Sequence, residues 1–220
     1  MNERPILFSA PMVRAILSGK KSQTRRIVKI NAAGRAFRGS RNWHVDDPDA
    51  VLACSYGQVG DFLWVRETWR TETDAYNDLA PSQLSGEETV LYDADGDWPS
   101  NHTTGRYRQA IHMPRWASRI TLVVTGVRIE RLQDISCADA IAEGCRPVSL
   151  HALDCDSTPP TEEYRALWKS LHGTDSWAAN RYVFVVSFTC VTNARSRSRD
   201  RLDSRHRAAA GNSRRLLGRY

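Results

Sequence analysis

The residues with the clearest chemical potential form a polar block near the N-terminus, Lys20-Lys21-Ser22-Gln23-Thr24-Arg25-Arg26. A lysine of lowered pKa can take a proton from a hydroxyl, or bind a carbonyl or phosphate oxygen. Lys21 close to Ser22 and Thr24 therefore offers a base beside a nucleophile. Composition alone favours a different interpretation, a solvated basic turn, because a run of charges is usually part of the surface.

A second group of candidates lies at the end of an apolar run, residues 62–66. If this run is a strand, the side chains of Arg66 and Glu67 point to opposite faces of it. Glu67 then has two possible roles. It can enter a cleft and pair with Lys21 or with the exocyclic amine of a base, or it can form a structural ion pair.

Trp116 lies between Arg115 and Arg119 in the sequence. An aromatic ring with flanking arginines can serve as a platform on which a base stacks. We therefore include these three residues, with Arg26 and Arg66, among the candidates for nucleic-acid or nucleoside binding. Core packing is the expected role of three further tryptophans, because tryptophan is more often structural: Trp64, Trp69 and Trp168.

The histidines and cysteines do not show the spacing of metal ligands, so we expect neither a metal ion nor a cofactor. The five cysteines include no CxxC pair and are expected to be reduced thiols in a cytoplasmic protein. No run of about 18 apolar residues is present, and the N-terminus does not resemble a secretory signal. We therefore expect no membrane association.

The N-terminal third of the chain predicts three elements around the polar block. A buried strand is expected at residues 6–8, followed by a helix that Ser9 caps and Gly19 ends. The polar block itself is expected to be a loop that leads into a strand at residues 27–30. Residues 31–60 are rich in Gly, Asp and Arg and are also expected to be loop.

The remaining elements alternate between strands and short helices. Strands are predicted at 62–66, 120–129 and 182–188, and a long irregular insertion at about 71–110. Ser136 has the position of a cap for a short helix that ends at Gly144. A second helix, capped by Thr161, has a core-facing stripe formed by Tyr164, Leu167, Trp168 and Leu171. This pattern indicates a small barrel-like α+β domain.

Charge divides the chain into an acidic body and two basic segments. Residues 14–41 hold nine Lys/Arg and no acidic residue, and residues 191–220 hold nine arginines and two aspartates. Such asymmetry favours a polyanionic partner. The last segment has few large apolar side chains, so we expect an ordered domain at 1–190 and a disordered Arg-rich tail at 191–220. The tail is either a nucleic-acid-binding arm or unselected sequence.

Five blocks, in order, resemble the ASCH domain, a relative of the PUA RNA-binding fold. They span residues 4–189 and resemble in particular a phage and prophage branch of the family. The blocks are PILFSAPMVRAILSGKKSQTRR (5–26), GDFLWVRETW (60–69), HMPRWASRI (112–120), LQDI with AEG (132–135 and 142–144), and SW with Asn180 before the last strand. The resemblance implies a PUA-like small β-barrel with short flanking helices.

Some ASCH proteins hydrolyse the acetyl amide of N4-acetylcytidine. The resemblance implies that Lys21 is the base, that Thr24 is the nucleophile or holds water, and that Glu143 orients the lysine and shuttles a proton. Chain length, the insertion, and the residues at 22, 23 and 25 depart from the family pattern. Two functional possibilities stay open. The first is an amidohydrolase for N4-acylated cytidine-type substrates. The alternative is a non-catalytic RNA-binding module or a phage ribonuclease. The expected partner is a nucleoside or RNA.

Overall fold

A computed structural model describes residues 1–96, 103–146 and 158–192. These residues adopt a mixed α+β fold with strands in one main sheet and two small ladders. The strands are β1 (Glu3–Leu7), β2 (Gln23–Ile27), β3 (Arg35–Arg38), β4 (Arg41–His44), β5 (Phe62–Arg66), β6 (Trp69–Thr71), β7 (Val90–Tyr92), β8 (Ile120–Arg131) and β9 (Tyr182–Thr192). The α-helices are α1 (Ala10–Leu17), α2 (Cys137–Ala142) and α3 (Pro160–His172).

The main sheet has five strands in the order β1-β5-β8-β9-β2. The β1 and β5 strands are parallel, and the other neighbours are antiparallel. The predicted first strand and the predicted strands near 62, 120 and 182 all lie in this one sheet. The predicted small barrel is not found among the described residues, in which β1 and β2 form the two edges of an open sheet.

Helices pack on both faces of the sheet. On one face, Val13 and Ile16 of α1 join a core that includes Leu122 and Val186. On the other face, α3 packs Tyr164 and Trp168 against Val183 and Val185 of β9. This is the alternation expected of a strand that is buried on both sides. The predicted stripe of α3 is confirmed at Tyr164 and Trp168 only, because Leu167 is half-buried outside this cluster and Leu171 is 53% exposed.

Two loop predictions near the N-terminus are wrong. The polar block enters the sheet as β2, four residues earlier than the predicted strand, because Gln23–Ile27 pairs along the edge of β9. Residues 31–60 contain the hairpin of β3 and β4 and a 3-10 helix, Pro48–Ala53, instead of loop alone. In both cases long-range pairing supplies the order that local composition did not indicate.

The segment between β5 and β8 forms a small unit beside the main sheet. The β6 and β7 strands pair with each other, and Trp69, Leu84, Met113 and Ala117 form a separate apolar cluster. This local order was not predicted for the insertion at 71–110, parts of which lie outside the described residues. The predicted tail, 191–220, lies outside them except for the last two residues of β9. The described helices include none with the length and apolar character of a membrane span.

Candidate functional site

Lys21 and Glu143 meet in the interior at the junction of α1, α2 and β2. After α1, the backbone turns at Gly19 (φ +71°), and the amide of Lys21 donates to the carbonyl of Ala15. Glu143 follows directly after α2. The Lys21 Nζ lies 2.5 Å from Glu143 Oε2 and donates to the Glu143 carbonyl at 2.8 Å. The two side chains are 0% and 3% exposed, so they form a buried ion pair.

Arg25 is a second buried cation beside the same carboxylate. Its Nη1 lies 3.4 Å from Glu143 Oε1 and donates to Gln23 Oε1 at 2.8 Å. Its Nη2 donates to Glu130 at 2.6 Å and lies 3.4 Å from Asp139. Glu143 is therefore shared between a lysine and an arginine. Arg25 was not predicted as a site residue, although placing the polar block on a strand would have put it on the face of Gln23.

Burial sets the protonation of Lys21. It lowers the pKa of the Lys21 amine below the usual lysine range, against the charge and hydrogen bond of Glu143, which raise it. The nearby Arg26 lowers this pKa further. Burial, with the Glu143 charge, raises the pKa of the neighbouring Tyr164 hydroxyl, which stays protonated. The site thus favours a neutral lysine amine more than a surface position would.

Thr24 is buried on β2 and pairs with Val186. Because side chains alternate along a strand, the Thr24 side chain lies on the same face of β2 as Arg26 and on the opposite face from Arg25. Among the described residues, no hydrogen bond links the Thr24 hydroxyl to Lys21 or Glu143. The same face is nevertheless close to the lysine, because the Phe8 ring lies 5.3 Å from the Arg26 guanidinium and 5.8 Å from Lys21 Nζ.

Arg66 and Arg115 both lie near the ring of Trp64. Their guanidinium groups are 4.6 Å and 5.9 Å from the indole ring, which is only 8% exposed. Arg66 also donates to the carbonyl of Ile111, and Arg115 forms an ion pair with Glu3 at 2.5 Å. These two predicted binding residues are therefore engaged with protein partners, and the buried Trp64 ring offers little surface for stacking.

Glu67 pairs with Arg119 and not with Lys21. The guanidinium donates to both carboxylate oxygens at 2.9 and 3.0 Å, and it also reaches Asp95 at 2.7 Å. Burial raises the pKa of Glu67, and the Arg119 charge and hydrogen bonds oppose it. Since Glu67 is 1% exposed, this geometry corresponds to the structural ion pair.

Trp116 packs within the cluster of the inserted segment. Its ring meets Trp69 edge to face, with centroids 6.0 Å apart and an interplanar angle of 82°. Gly86 lies against the same indole, where an added Cβ would be 3.4 Å from Cγ. The structure therefore separates Trp116 from the group formed by Lys21, Arg25 and Glu143. The described residues contain no cluster of His, Cys, Asp or Glu suited to a metal ion.

Ser136 fixes the start of α2, the helix that carries Glu143 at its end. Its Oγ accepts from the Asp139 amide at 3.1 Å and donates to the Asp139 carboxylate at 2.9 Å. Although partial burial would raise the pKa of Asp139, Ser136, Arg128 and Gln23 lower it to about 2. The stability that this carboxylate contributes is therefore lost only as the pH falls through about 4 to about 2.

We expect Ser136→Ala to lower the free energy of unfolding by about 1 kcal/mol, because it removes the N-cap of α2. Urea unfolding at neutral pH measures this change. Ser170→Ala is the matched control: Ser170 lies exposed on α3, so its loss should change stability by less than about 0.5 kcal/mol. Equal losses in the two variants would contradict the capping role.

No protein-family model and no curated protein matches the chain. Solved structures with similar folds include an ASCH domain from Lactobacillus crispatus JV V101, at 9% identity and a TM-score of 0.41 over 87% of this chain and 81% of that one. A DUF984 protein from Enterococcus faecalis V583 has 11% identity and a TM-score of 0.38 over 87% and 77%. Similarity this low does not assign a family or an activity.

Proposed function

We propose that the chain is an ASCH-type, PUA-like protein of phage or prophage character, which binds a nucleoside or RNA base and hydrolyses the amide of an N4-acylated cytidine-type substrate. The observation that carries the proposal is the buried contact of 2.5 Å between Lys21 and Glu143, residues 122 positions apart. Together with Thr24, these residue types match the motif positions named above. Their burial suits proton transfer, because it favours the neutral amine.

In the proposed reaction, water adds across the acyl C–N bond. The neutral Lys21 amine takes the proton of the attacking hydroxyl while the new C–O bond forms at the acyl carbon. That hydroxyl is either Thr24 itself or a water that Thr24 holds. The C–N bond then breaks as the proton passes to N4, which releases the free cytosine amine. If Thr24 attacks, water hydrolyses the threonine ester and frees the carboxylic acid in a second step.

Arg26 is the predicted binding residue that lies closest to this chemistry. Its Nη2 donates to the carbonyl of Leu7 at 2.7 Å, and its guanidinium lies 5.3 Å from the Phe8 ring and 5.6 Å from the Tyr56 ring. It is only partly buried. We propose that Arg26 contacts a carbonyl or phosphate oxygen of the substrate, since an arginine held at the edge of a site presents several donors in a fixed plane.

A second candidate function is a non-catalytic module that binds RNA. Arg25 favours this function, because its guanidinium lies 3.4 Å from the Glu143 carboxylate. The carboxylate therefore interacts with two cations and not with Lys21 alone. Thr24 favours it too, because among the described residues its hydroxyl forms no hydrogen bond with Lys21. In this case the same residues form a rigid buried network under a base-binding surface, and no amide is cleaved.

The pH dependence of turnover separates these functions. For the enzyme, kcat/KM on N4-acetylcytidine should rise with pH and level off at the lowered pKa of Lys21. Glu143→Gln removes the main group that raises this pKa, so the rise should move to lower pH while the plateau falls. The control Glu162→Gln, on the exposed side of α3, should keep the native profile. An unshifted rise in Glu143→Gln would contradict the role of Lys21 as base.

A further inference from the structure

The hairpin of β3 and β4, residues 35–44, presents one face to the core and one to solvent. On the inner face, Ala36 pairs with Trp43; Ala36 is fully buried, and Trp43 packs against the main core. On the outer face, Arg35 lies opposite His44, and Phe37 lies opposite Asn42. Because partners in a ladder share a face, this outer row points away from the domain.

Phe37 is an aromatic side chain on this outer row. It is half-buried, yet within the described residues it belongs to none of the three apolar clusters. The Ile30–Ala36 bridge and the bond from the Phe37 amide to the Lys29 carbonyl extend the hairpin by a third segment. This pairing sets Lys29 beside Phe37, so the aromatic ring has a cation next to it on the neighbouring segment.

Two cationic residues share the outer row with Phe37: Lys29, opposite it on the third segment, and Arg35, two positions before it. Both are exposed, and neither forms an ion pair with any residue in the described ranges. The fold thus holds two positive charges without ion-pair partners beside an aromatic residue, an arrangement that a polyanion would stabilise.

We propose that this outer face binds single-stranded RNA. Phe37 stacks on a base, and Lys29 and Arg35 bind the neighbouring phosphates. A single strand fits better than a duplex, because only unpaired bases expose a face for stacking. Asn42 shares the row, and its amide supplies a donor for the 2′-hydroxyl that distinguishes RNA from DNA. This surface lies apart from Lys21 and Glu143, and its function does not depend on hydrolysis.

Fluorescence anisotropy with the full chain and a labelled ten-residue oligouridine tests the stacking contact. Phe37→Leu keeps an apolar side chain on the hairpin but removes the ring, and Phe37→Ala removes both. Both variants should weaken binding roughly five- to 150-fold, the range found when one aromatic contact to a base is lost. Unchanged affinity in the two variants would overturn the proposal.

The charge contacts are tested by the slope of log affinity against log salt. Lys29→Ala/Arg35→Ala should reduce the magnitude of this slope by about 1.4, from about 0.7 for each lost phosphate contact on a single strand. The control Arg106→Ala/Arg181→Ala removes two exposed arginines elsewhere and should reduce the slope by less. Equal reductions would overturn the assignment of the phosphates to the hairpin.

Two further arms complete the test. Ten-residue oligothymidine should bind the native chain more weakly than oligouridine, and equal affinity would overturn the assignment to RNA. Hydrolysis of N4-acetylcytidine, a substrate too small to reach the hairpin, should be the same in Phe37→Leu as in the native chain. If Phe37→Leu loses RNA binding while its hydrolysis rate equals that of the native chain, the RNA site on the hairpin is supported. The same holds if neither protein hydrolyses the substrate, so this test does not depend on the proposed enzyme activity.

Discussion

Lys21→Met should lower the rate of N4-acetylcytidine hydrolysis by roughly 10²- to 10⁴-fold, the contribution typical of a positioned general base. Methionine has a similar length and can fill the space left by the lysine stem, but it cannot accept a proton. Substrate and product are separated by chromatography, and the initial rates of the two proteins are compared at a pH where the native rate has levelled off.

Lys21→Met should remain folded. Loss of one partner from a buried ion pair costs about 3–5 kcal/mol when the other charge is left alone. Here Arg25 Nη1 stays 3.4 Å from the Glu143 carboxylate, so the loss of stability should be smaller. Lys20→Met is the matched control, since Lys20 is exposed and should leave both rate and stability near native values. Substantial turnover by a folded Lys21→Met protein would contradict the proposed mechanism.

Arg119→Met should lower the free energy of unfolding by about 3–5 kcal/mol at neutral pH. The guanidinium holds both oxygens of Glu67, a carboxylate that is 1% exposed, and no other cation in the described residues forms an ion pair with it. The double variant Arg119→Met/Glu67→Met should recover much of the loss, because it removes the buried charge as well. Urea unfolding of the three proteins gives the comparison.

The same variant predicts a defined pH dependence. Burial already raises the pKa of Glu67, and removal of Arg119 raises it further, above that of the unfolded chain. In Arg119→Met, the buried and charged Glu67 lowers the free energy of unfolding. This loss is therefore regained as the pH falls and Glu67 takes up a proton. Arg165→Met, at an exposed ion pair on α3, should cost less than about 1 kcal/mol at any pH. Equal losses at Arg119 and Arg165, or a deficit that does not shrink at lower pH, would contradict this account.

The strands with the strongest apolar patterns could be predicted from the sequence. β5 and the starts of β8 and β9 lie where the pattern placed them, and Ser136 caps α2 as its spacing indicated. Apolar alternation and capping are local properties, so a short window of sequence contains them. Closure of the sheet is not a local property, and the predicted barrel is not found in the described residues.

The candidate site shows the same division. The motif resemblance placed Lys21 and Glu143 in one site, and the structure brings them together. Arg25 was missed because β2 contains two arginines and little apolar surface, which is the composition of a turn. Its charge is compensated by carboxylates from β8 and α2 that lie more than 100 residues away. Such partners are not visible in the local pattern from which strands are predicted.

Product analysis with the purified native protein tests the central claim most directly. N4-acetylcytidine and short RNAs carrying the same modification are incubated with the protein in ¹⁸O-labelled water, and the products are identified by mass spectrometry. The account predicts cytidine and acetate in equal amounts, with one ¹⁸O atom in the acetate and none in the cytidine. Binding of these substrates without cleavage would contradict the enzymatic function and leave the RNA-binding module as the function of the site.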